Sequence, residues 1–91
     1  MGCGLSWRKL RGVHLPYEKQ VYIRATCLLW KDQPKRVQAK IRRLCEECGG
    51  VYASALWESM TTKQSAVQIA LKHNMSESTL YRIRVDFYNA W

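Results

Sequence analysis

Side chains that can hydrogen-bond a nucleic acid are concentrated near the C-terminus of the chain. They are Lys72, Ser76, Glu77, Ser78, Thr79, Tyr81, Arg82 and Arg84. Hydroxyl, ammonium and guanidinium groups bond to phosphate oxygens and to base edges, which are the two hydrogen-bonding surfaces that a DNA duplex presents. We therefore expect this set to contact double-stranded DNA, provided that the chain folds so that the set lies on an exposed face.

The stretch 67–87 predicts two short helices joined by a tight turn, which is the pattern of a DNA-binding helix-turn-helix. Ala70 is small enough to lie where the second helix crosses the first. Asn74 tolerates the left-handed backbone that the turn requires. Met75 then supplies an apolar plug, and the hydroxyl of Ser76 can cap the next helix. These residues position the polar set.

The second helix of this pair has an inward stripe at positions i, i+3 and i+7, formed by Leu80, Ile83 and Phe87. Packing of this stripe into the core leaves the polar set facing outward, or beside the surface that would enter a DNA groove. An alternative is a helical hairpin without a nucleic-acid role, because amphipathic helix pairs are common in all-α domains. We interpret His73, just before the turn, as a partly exposed packing residue.

The chain has 91 residues and 47% hydrophobic content, which suits one compact domain with a modest core. No run is apolar enough to cross a bilayer, and no secretory signal core is present at the N-terminus, so we expect a cytoplasmic protein with no membrane partner. There is no phosphate-binding glycine loop and no nucleophile partner for His14 or His73. We therefore predict that the protein is not an enzyme and needs no cofactor.

The net charge of +8 favours an anionic partner. The charge is +9 within 1–43 and −1 within 44–91, so most of it lies outside the predicted helix pair. We expect four cations of the front half to bind phosphates: Lys35, Arg36, Arg42 and Arg43. The cations within 1–43 would then bind the DNA backbone, while the predicted helix pair contacts the bases. A merely solvated basic face is the alternative.

The pattern along the chain predicts an all-α fold with about five helices and no strands. A flexible basic arm, 1–14, precedes a single helical domain, 15–91, in which the helix-turn-helix occupies about 62–90. We expect helices at about 16–30, 34–48, 51–60, 62–73 and 77–91. Pro16 and Pro34 open the first two, and Thr61 with Gln64 resembles a capping box that starts the fourth.

The first three predicted helices each have an apolar face that should turn toward the core. In the first helix it comprises Tyr17, Val21, Ala25, Leu28 and Leu29. In the second it comprises Val37, Ile41, Leu44, Cys45 and Cys48. In the third it comprises Val51, Ala55, Leu56 and Met60, with Trp57 closing the core.

Three other patterns suggest different partners. Cys45 and Cys48, followed by two glycines, have the spacing of a zinc knuckle, although they also fit the buried face of the second helix and no further ligand has matching spacing. We prefer packed thiols and predict no metal. The opening MGCGLS fits an N-myristoylation pattern at Gly2. Trp7, within the basic arm, suits base stacking.

The segment from about 52 to 91 resembles the final helix-turn-helix of sigma-factor region four. The residues that carry the resemblance are Ile69 and Ala70, the turn at Asn74 and Met75, and the run Ser76, Glu77, Ser78 and Thr79. His73 replaces the usual aliphatic residue, and Asn74 replaces glycine.

Leading helices followed by such a unit are similar to small phage late-gene regulators, namely the Q-type antiterminators and their RinA and ArpU-like counterparts. The resemblance implies binding to promoter-proximal DNA, engagement of bacterial RNA polymerase and a role in antitermination or activation. Since a single reading unit is small for specificity, we also expect a homodimer or a polymerase partner. The alternative is a protein-binding adaptor that uses its basic face.

Overall fold

In the computed structural model, residues 10–91 are described, and all of their regular structure is helical. The α-helices are α1 (Tyr17–Leu28), α2 (Lys35–Gly49), α3 (Ala53–Thr61), α4 (Ala66–Lys72) and α5 (Glu77–Ala90). Single 3-10 turns, Trp30–Asp32 and Gly50–Tyr52, follow α1 and α2. The predicted all-α class is confirmed for this part of the chain, in which no helix is long and apolar enough to span a bilayer.

Prolines start the first two helices, as predicted. Pro16 and Pro34 each directly precede a helix, and their carbonyls accept its first hydrogen bonds. This suits proline, since its fixed φ fits the position and its missing N–H would have no partner there. At the other end of α2, Gly50 has a φ of 56°, a left-handed value that stops the helix.

Helix α3 packs against α1, α2, α4 and α5 and so lies at the centre of the domain. Its predicted inward residues Ala55, Leu56 and Met60 are fully buried, and Trp57 packs against the core from a half-buried position. Val51 was expected to be inward but is 94% exposed. The prediction is wrong there because the chain makes a 3-10 turn before α3 begins, so Val51 does not share the helical face of α3.

The start of α4 also differs from the sequence prediction. Thr61 ends α3, and its hydroxyl donates back to the Trp57 carbonyl instead of capping a new helix. The actual cap is Ser65, whose Oγ accepts from the Gln68 N–H at 3.2 Å. A helix start at 62 is therefore wrong, and α4 is a short helix beginning at 66.

The buried face of α1 is formed by Gln20, Ile23, Thr26 and Cys27, not by the predicted apolar set. Leu29, from that set, is largely exposed. The two buried polar side chains have hydrogen-bond partners, since Gln20 accepts from the Leu10 N–H and the Thr26 hydroxyl donates to the Tyr22 carbonyl. Because their polar groups are hydrogen-bonded, Gln20 and Thr26 can occupy core positions that a hydrophobicity pattern would give to apolar residues.

The predicted faces of α2 and α5 are confirmed. In α2, Ile41, Leu44 and Cys45 are buried, and Val37 and Cys48 pack against the core from half-buried positions. The α5 stripe of Leu80, Ile83 and Phe87 is buried, together with Tyr88, which the stripe does not include.

The described part of the predicted arm packs against the helices. Val13 is only 6% exposed and belongs to the core cluster, and Leu10 packs against that cluster. The packed domain thus begins earlier than the predicted boundary at residue 15. This segment, residues 11–14, lies along α5, and we call it the strap.

Candidate functional site

The turn between α4 and α5 has the geometry that its residues predict. Asn74 has a φ of 55° and is the only non-glycine residue with positive φ within residues 10–91. The Met75 N–H donates to the Ala70 carbonyl at 3.0 Å, and the Asn74 N–H donates to the Leu71 carbonyl at 3.3 Å. This pair of bonds is the Schellman motif, which ends a helix at a left-handed residue. Met75 packs on the core beyond it.

Ser76 caps α5, as predicted. Its Oγ accepts from the Thr79 N–H at 3.1 Å, and Ser76 Oγ and Thr79 Oγ1 lie 2.8 Å apart in a second hydrogen bond. Both hydroxyls are therefore engaged in forming the first turn of the helix. Ser76 and Thr79 therefore fix the first turn of α5 directly after the turn at Asn74.

Four predicted contact residues lie exposed on the first two turns of α5, namely Glu77, Ser78, Tyr81 and Arg82. Ser78 and Arg82 are four residues apart and so are neighbours on one helix face. Arg82 forms no ion pair with any residue in 10–91. This face offers a hydroxyl and a guanidinium that forms no ion pair within residues 10–91, at the beginning of a well-capped helix.

Arg84 does not face outward with this group. It is half-buried, and its Nε is enclosed without a hydrogen-bond partner among the described residues. Arg84 lies near Arg24 and hydrogen-bonds Tyr88; burial raises the pKa of the Tyr88 hydroxyl, while both guanidinium groups oppose that rise. The prediction of an outward Arg84 is thus wrong, because this side chain is on the α1 side of α5.

Arg24 links α1 to the end of α3. Its guanidinium donates to the Ser59 carbonyl and to the Thr62 carbonyl, the latter at 3.0 Å. Burial lowers the pKa of Arg24, and the neighbouring Arg84 adds to the lowering. The free carbonyls at the C-terminal end of α3 are a favourable location for a cation, so Arg24 has a structural role.

Lys72 and His73, at the end of α4, both bind Glu58 of α3. Lys72 Nζ lies 3.1 Å from Glu58 Oε1, and His73 Nε2 lies 2.9 Å from Glu58 Oε2. Desolvation alone would raise the pKa of Glu58, but the hydrogen bonds from His73 and Lys72 outweigh it and the pKa is lowered. Lys72 remains exposed, and Glu58, which the sequence analysis did not single out, anchors α4 to α3.

Replacing Glu58 with glutamine is expected to lower the free energy of unfolding by about 0.5–1.5 kcal/mol near pH 7. Because the folded pKa lies below its ordinary value of 4.5, the stabilisation is present above that value and is lost as pH falls through the lower folded pKa. Urea unfolding of both proteins between about pH 7 and pH 3 measures the difference.

The control is Glu47→Gln, since Glu47 forms only an exposed ion pair with Arg43 at 3.9 Å. Such a pair contributes little, so the control should unfold like the wild type. A wild-type to Glu58→Gln difference that stays constant down to the lowest pH would contradict the assignment of this cluster.

The four predicted phosphate-binding cations are exposed along α2: Lys35, Arg36, Arg42 and Arg43. Within residues 10–91, no hydrogen bond or ion pair joins them to the first turn of α5. The Arg42 guanidinium lies 5.8 Å from the Trp57 ring centroid, a cation–π arrangement. The structure thus places the basic set and the α5 set on two separate helices.

Tyr81 is 38% exposed, and its hydroxyl is bonded to the strap, where it donates to the Arg11 carbonyl at 2.9 Å. Asn89 holds the strap as well, since its Nδ2 donates to the Gly12 carbonyl and its Oδ1 accepts from the His14 N–H. The sequence analysis missed Asn89. The available signal is its position eight residues after Tyr81, which puts both residues on one row of α5.

The three cysteines within residues 10–91 have buried or half-buried positions. Cys27 and Cys45 are buried in the core, where desolvation raises the pKa of each thiol to about 12. Cys48 is half-buried, with its pKa also raised by desolvation. Within 10–91, no group of three or more His, Cys, Asp or Glu residues is placed to hold a metal ion.

Most aromatic residues of the described region lie in the core or at its rim, whereas Tyr22 and Tyr81 are exposed. Trp30 and Trp57 contact edge to face, with ring centroids 4.9 Å apart, and Lys40 lies 4.3 Å from the centroid of the Trp91 ring. The expectations for Gly2 and Trp7 fall outside the described residues.

Comparison with models of known protein families, with curated protein sequences and with solved structures gives no match to this chain.

Proposed function

We propose that the chain is a sequence-specific transcription regulator that binds double-stranded DNA through a helix-turn-helix formed by α4 and α5. The observation that carries the proposal is the left-handed turn at Asn74 together with the Ser76 cap, which leaves Ser78 and Arg82 exposed on the first turns of α5. In helix-turn-helix proteins, the N-terminal residues of the second helix contact base edges in the major groove.

The exposed cations of α2 support the same function. A protein that neutralises phosphates with lysine and arginine gains affinity from counterion release, whatever the DNA sequence. We propose that the DNA backbone is bound by Lys35, Arg36, Arg42 and Arg43. Ser78 and Arg82 contact base edges. Glu77 accepts a hydrogen bond from the amino group of a cytosine, or disfavours other bases by repulsion.

The resemblance to sigma-factor region four and to phage late-gene regulators suggests where this binding acts. On that basis, the protein is an antiterminator or activator of phage late genes that engages bacterial RNA polymerase on a promoter-proximal site. Two exposed apolar residues of α4, Val67 and Leu71, are 48% and 75% exposed and lie four residues apart, which offers a small apolar contact for a protein partner such as polymerase or a second copy.

The test is selection of binding sites from random duplexes, followed by affinity measurements for Arg82→Ala. This variant is expected to lose about 1–3 kcal/mol on the selected duplex and less on a scrambled one, because only the selected duplex presents the base that Arg82 contacts. The matched control is Lys19→Ala, which removes an exposed cation of α1.

Selection that enriches no sequence would overturn the proposal of specific binding. If a site is enriched but Arg82→Ala binds it as the wild type does, α5 does not contact the bases through Arg82 and the assigned interface is wrong.

The second candidate is a protein-binding adaptor, favoured by the exposed Val67 and Leu71. It differs from the first in requiring no DNA. Its basic face would contact an acidic protein surface, and duplex binding would be absent even at low salt.

A further inference from the structure

The strap follows one row of side chains on α5. The Tyr81 hydroxyl bonds the Arg11 carbonyl at 2.9 Å, and Asn89 bonds both the Gly12 carbonyl, at 2.9 Å, and the His14 N–H, at 2.8 Å. Val85, between these two α5 residues, faces Gly12. The strap therefore runs beside the helix from its second turn to its last.

The strap is held firmly and closely. Gly12 has a φ of 84°, and a Cβ built on it would lie 3.3 Å from Val85 Cγ1, so glycine fits both the backbone conformation and the close approach. Val13 is buried in the core on the next step of the chain. Three hydrogen bonds and one buried side chain fix the strap backbone. The Cα atoms of its exposed residues therefore have defined positions.

This arrangement divides the surface of α5 into two parts. Tyr81 and Asn89 are hydrogen-bonded to the strap and half-buried Val85 faces it, while Ser78 and Arg82, on the adjacent row, have no hydrogen bond to the strap. Beside the row that it bonds, the strap carries the exposed Arg11. Arg11 forms no ion pair with any residue in 10–91.

Two exposed guanidinium groups, neither of them ion-paired within residues 10–91, thus belong to α5 and to the strap that lies along it. Arg82 projects from α5 itself, and Arg11 comes from the backbone bonded to the residue next to Arg82. A DNA duplex that receives the first turns of α5 in its groove has backbone phosphates on either side of that helix. A guanidinium beside the helix can bond such a phosphate bidentately.

We propose that the strap is a second DNA-contacting element, in which Arg11 binds a backbone phosphate at the edge of the groove that α5 enters. This inference rests on the proposed function. The strap contact adds to the proposed function a phosphate contact that carries no sequence information, since phosphates are alike at every position.

The test compares Arg11→Gln with the wild type in salt-dependent binding to the selected duplex and to a scrambled duplex. Loss of one phosphate contact is expected to reduce the slope of log Kobs against log salt by about 0.9, and to lower affinity by about eightfold at 0.1 M salt. The loss should be equal on both duplexes, so the specificity ratio stays unchanged.

The matched control is Lys19→Gln, which removes the same charge from the exposed surface of α1. It should retain the wild-type slope. Because Arg11 is exposed and only its backbone makes the strap hydrogen bonds, Arg11→Gln should fold normally, which thermal unfolding checks.

The outcomes separate the two proposals. If the wild type binds duplex and Arg11→Gln has the wild-type slope, the strap contact is overturned while the proposed function stands. A loss confined to the selected duplex would also overturn it, since Arg11 would then contact a base. If the wild type binds no duplex, both proposals fail.

Discussion

Phe87→Ala is expected to lower the free energy of unfolding by about 3–5 kcal/mol, since it removes a large ring from a fully packed position. Phe87 has no exposed surface, and its ring centroid lies 6.3 Å from that of Tyr88 and 6.0 Å from that of Trp91. Helix α5 packs against α2, α3 and α4, so the cavity would open where most of the domain meets. Domains of this size have only about 5–15 kcal/mol of stability.

Urea unfolding followed by circular dichroism measures the loss, and thermal unfolding gives an expected fall in Tm of about 12 °C or more. Asp86→Ala is the control, because Asp86 precedes Phe87 on the same helix and is exposed. It should change stability by less than about 0.5 kcal/mol. A Phe87→Ala loss under about 1 kcal/mol would contradict the packing of α5 described above.

Replacing the four exposed α2 cations with glutamine is expected to reduce duplex affinity by about 4 × 10³-fold at 0.1 M salt, because each lost phosphate contact removes about 0.9 from the salt slope. The variant combines Lys35→Gln, Arg36→Gln, Arg42→Gln and Arg43→Gln. Fluorescence anisotropy with a labelled duplex, repeated at several salt concentrations, gives both the affinity and the slope.

Folding should survive this change, since the four side chains are exposed and lose only one exposed ion pair, Arg43 with Glu47 at 3.9 Å, and the cation–π contact of Arg42 with Trp57, 5.8 Å from the ring centroid. A Tm that falls by no more than about 8 °C is therefore the control for folding, and Lys19→Gln is the control for charge. If the fourfold variant keeps the wild-type salt slope, α2 does not bind phosphates and the expected division between backbone and base contacts is wrong.

Local sequence patterns predicted the parts of the fold that depend on local physics. The inward stripe of α5 follows from a 3.6-residue period, and the turn follows from the tolerance of Asn74 for positive φ. Pro16, Pro34 and Ser76 start helices for reasons that lie within four residues of each. These features can be predicted without knowledge of any contact between residues that are distant in the sequence.

Features set by distant contacts were not predictable in the same way. Gln20 is buried because it accepts a bond from the Leu10 N–H, and Asn89 bonds residues more than 70 positions earlier in the chain. Arg84 turns toward Arg24 and Tyr88, which a helical period cannot reveal. Of the candidate site, the outward placement of Ser78 and Arg82 was predictable, whereas the strap bonded along α5 was not.

The central claim is that this chain binds duplex DNA, and wild-type binding at two salt concentrations tests it most directly. The account predicts binding at about 50 mM salt and an affinity lower by about 10²–10³-fold at about 200 mM, as expected for roughly five phosphate contacts. Absence of duplex binding at the lower concentration would contradict it and leave the protein-binding adaptor as the better description.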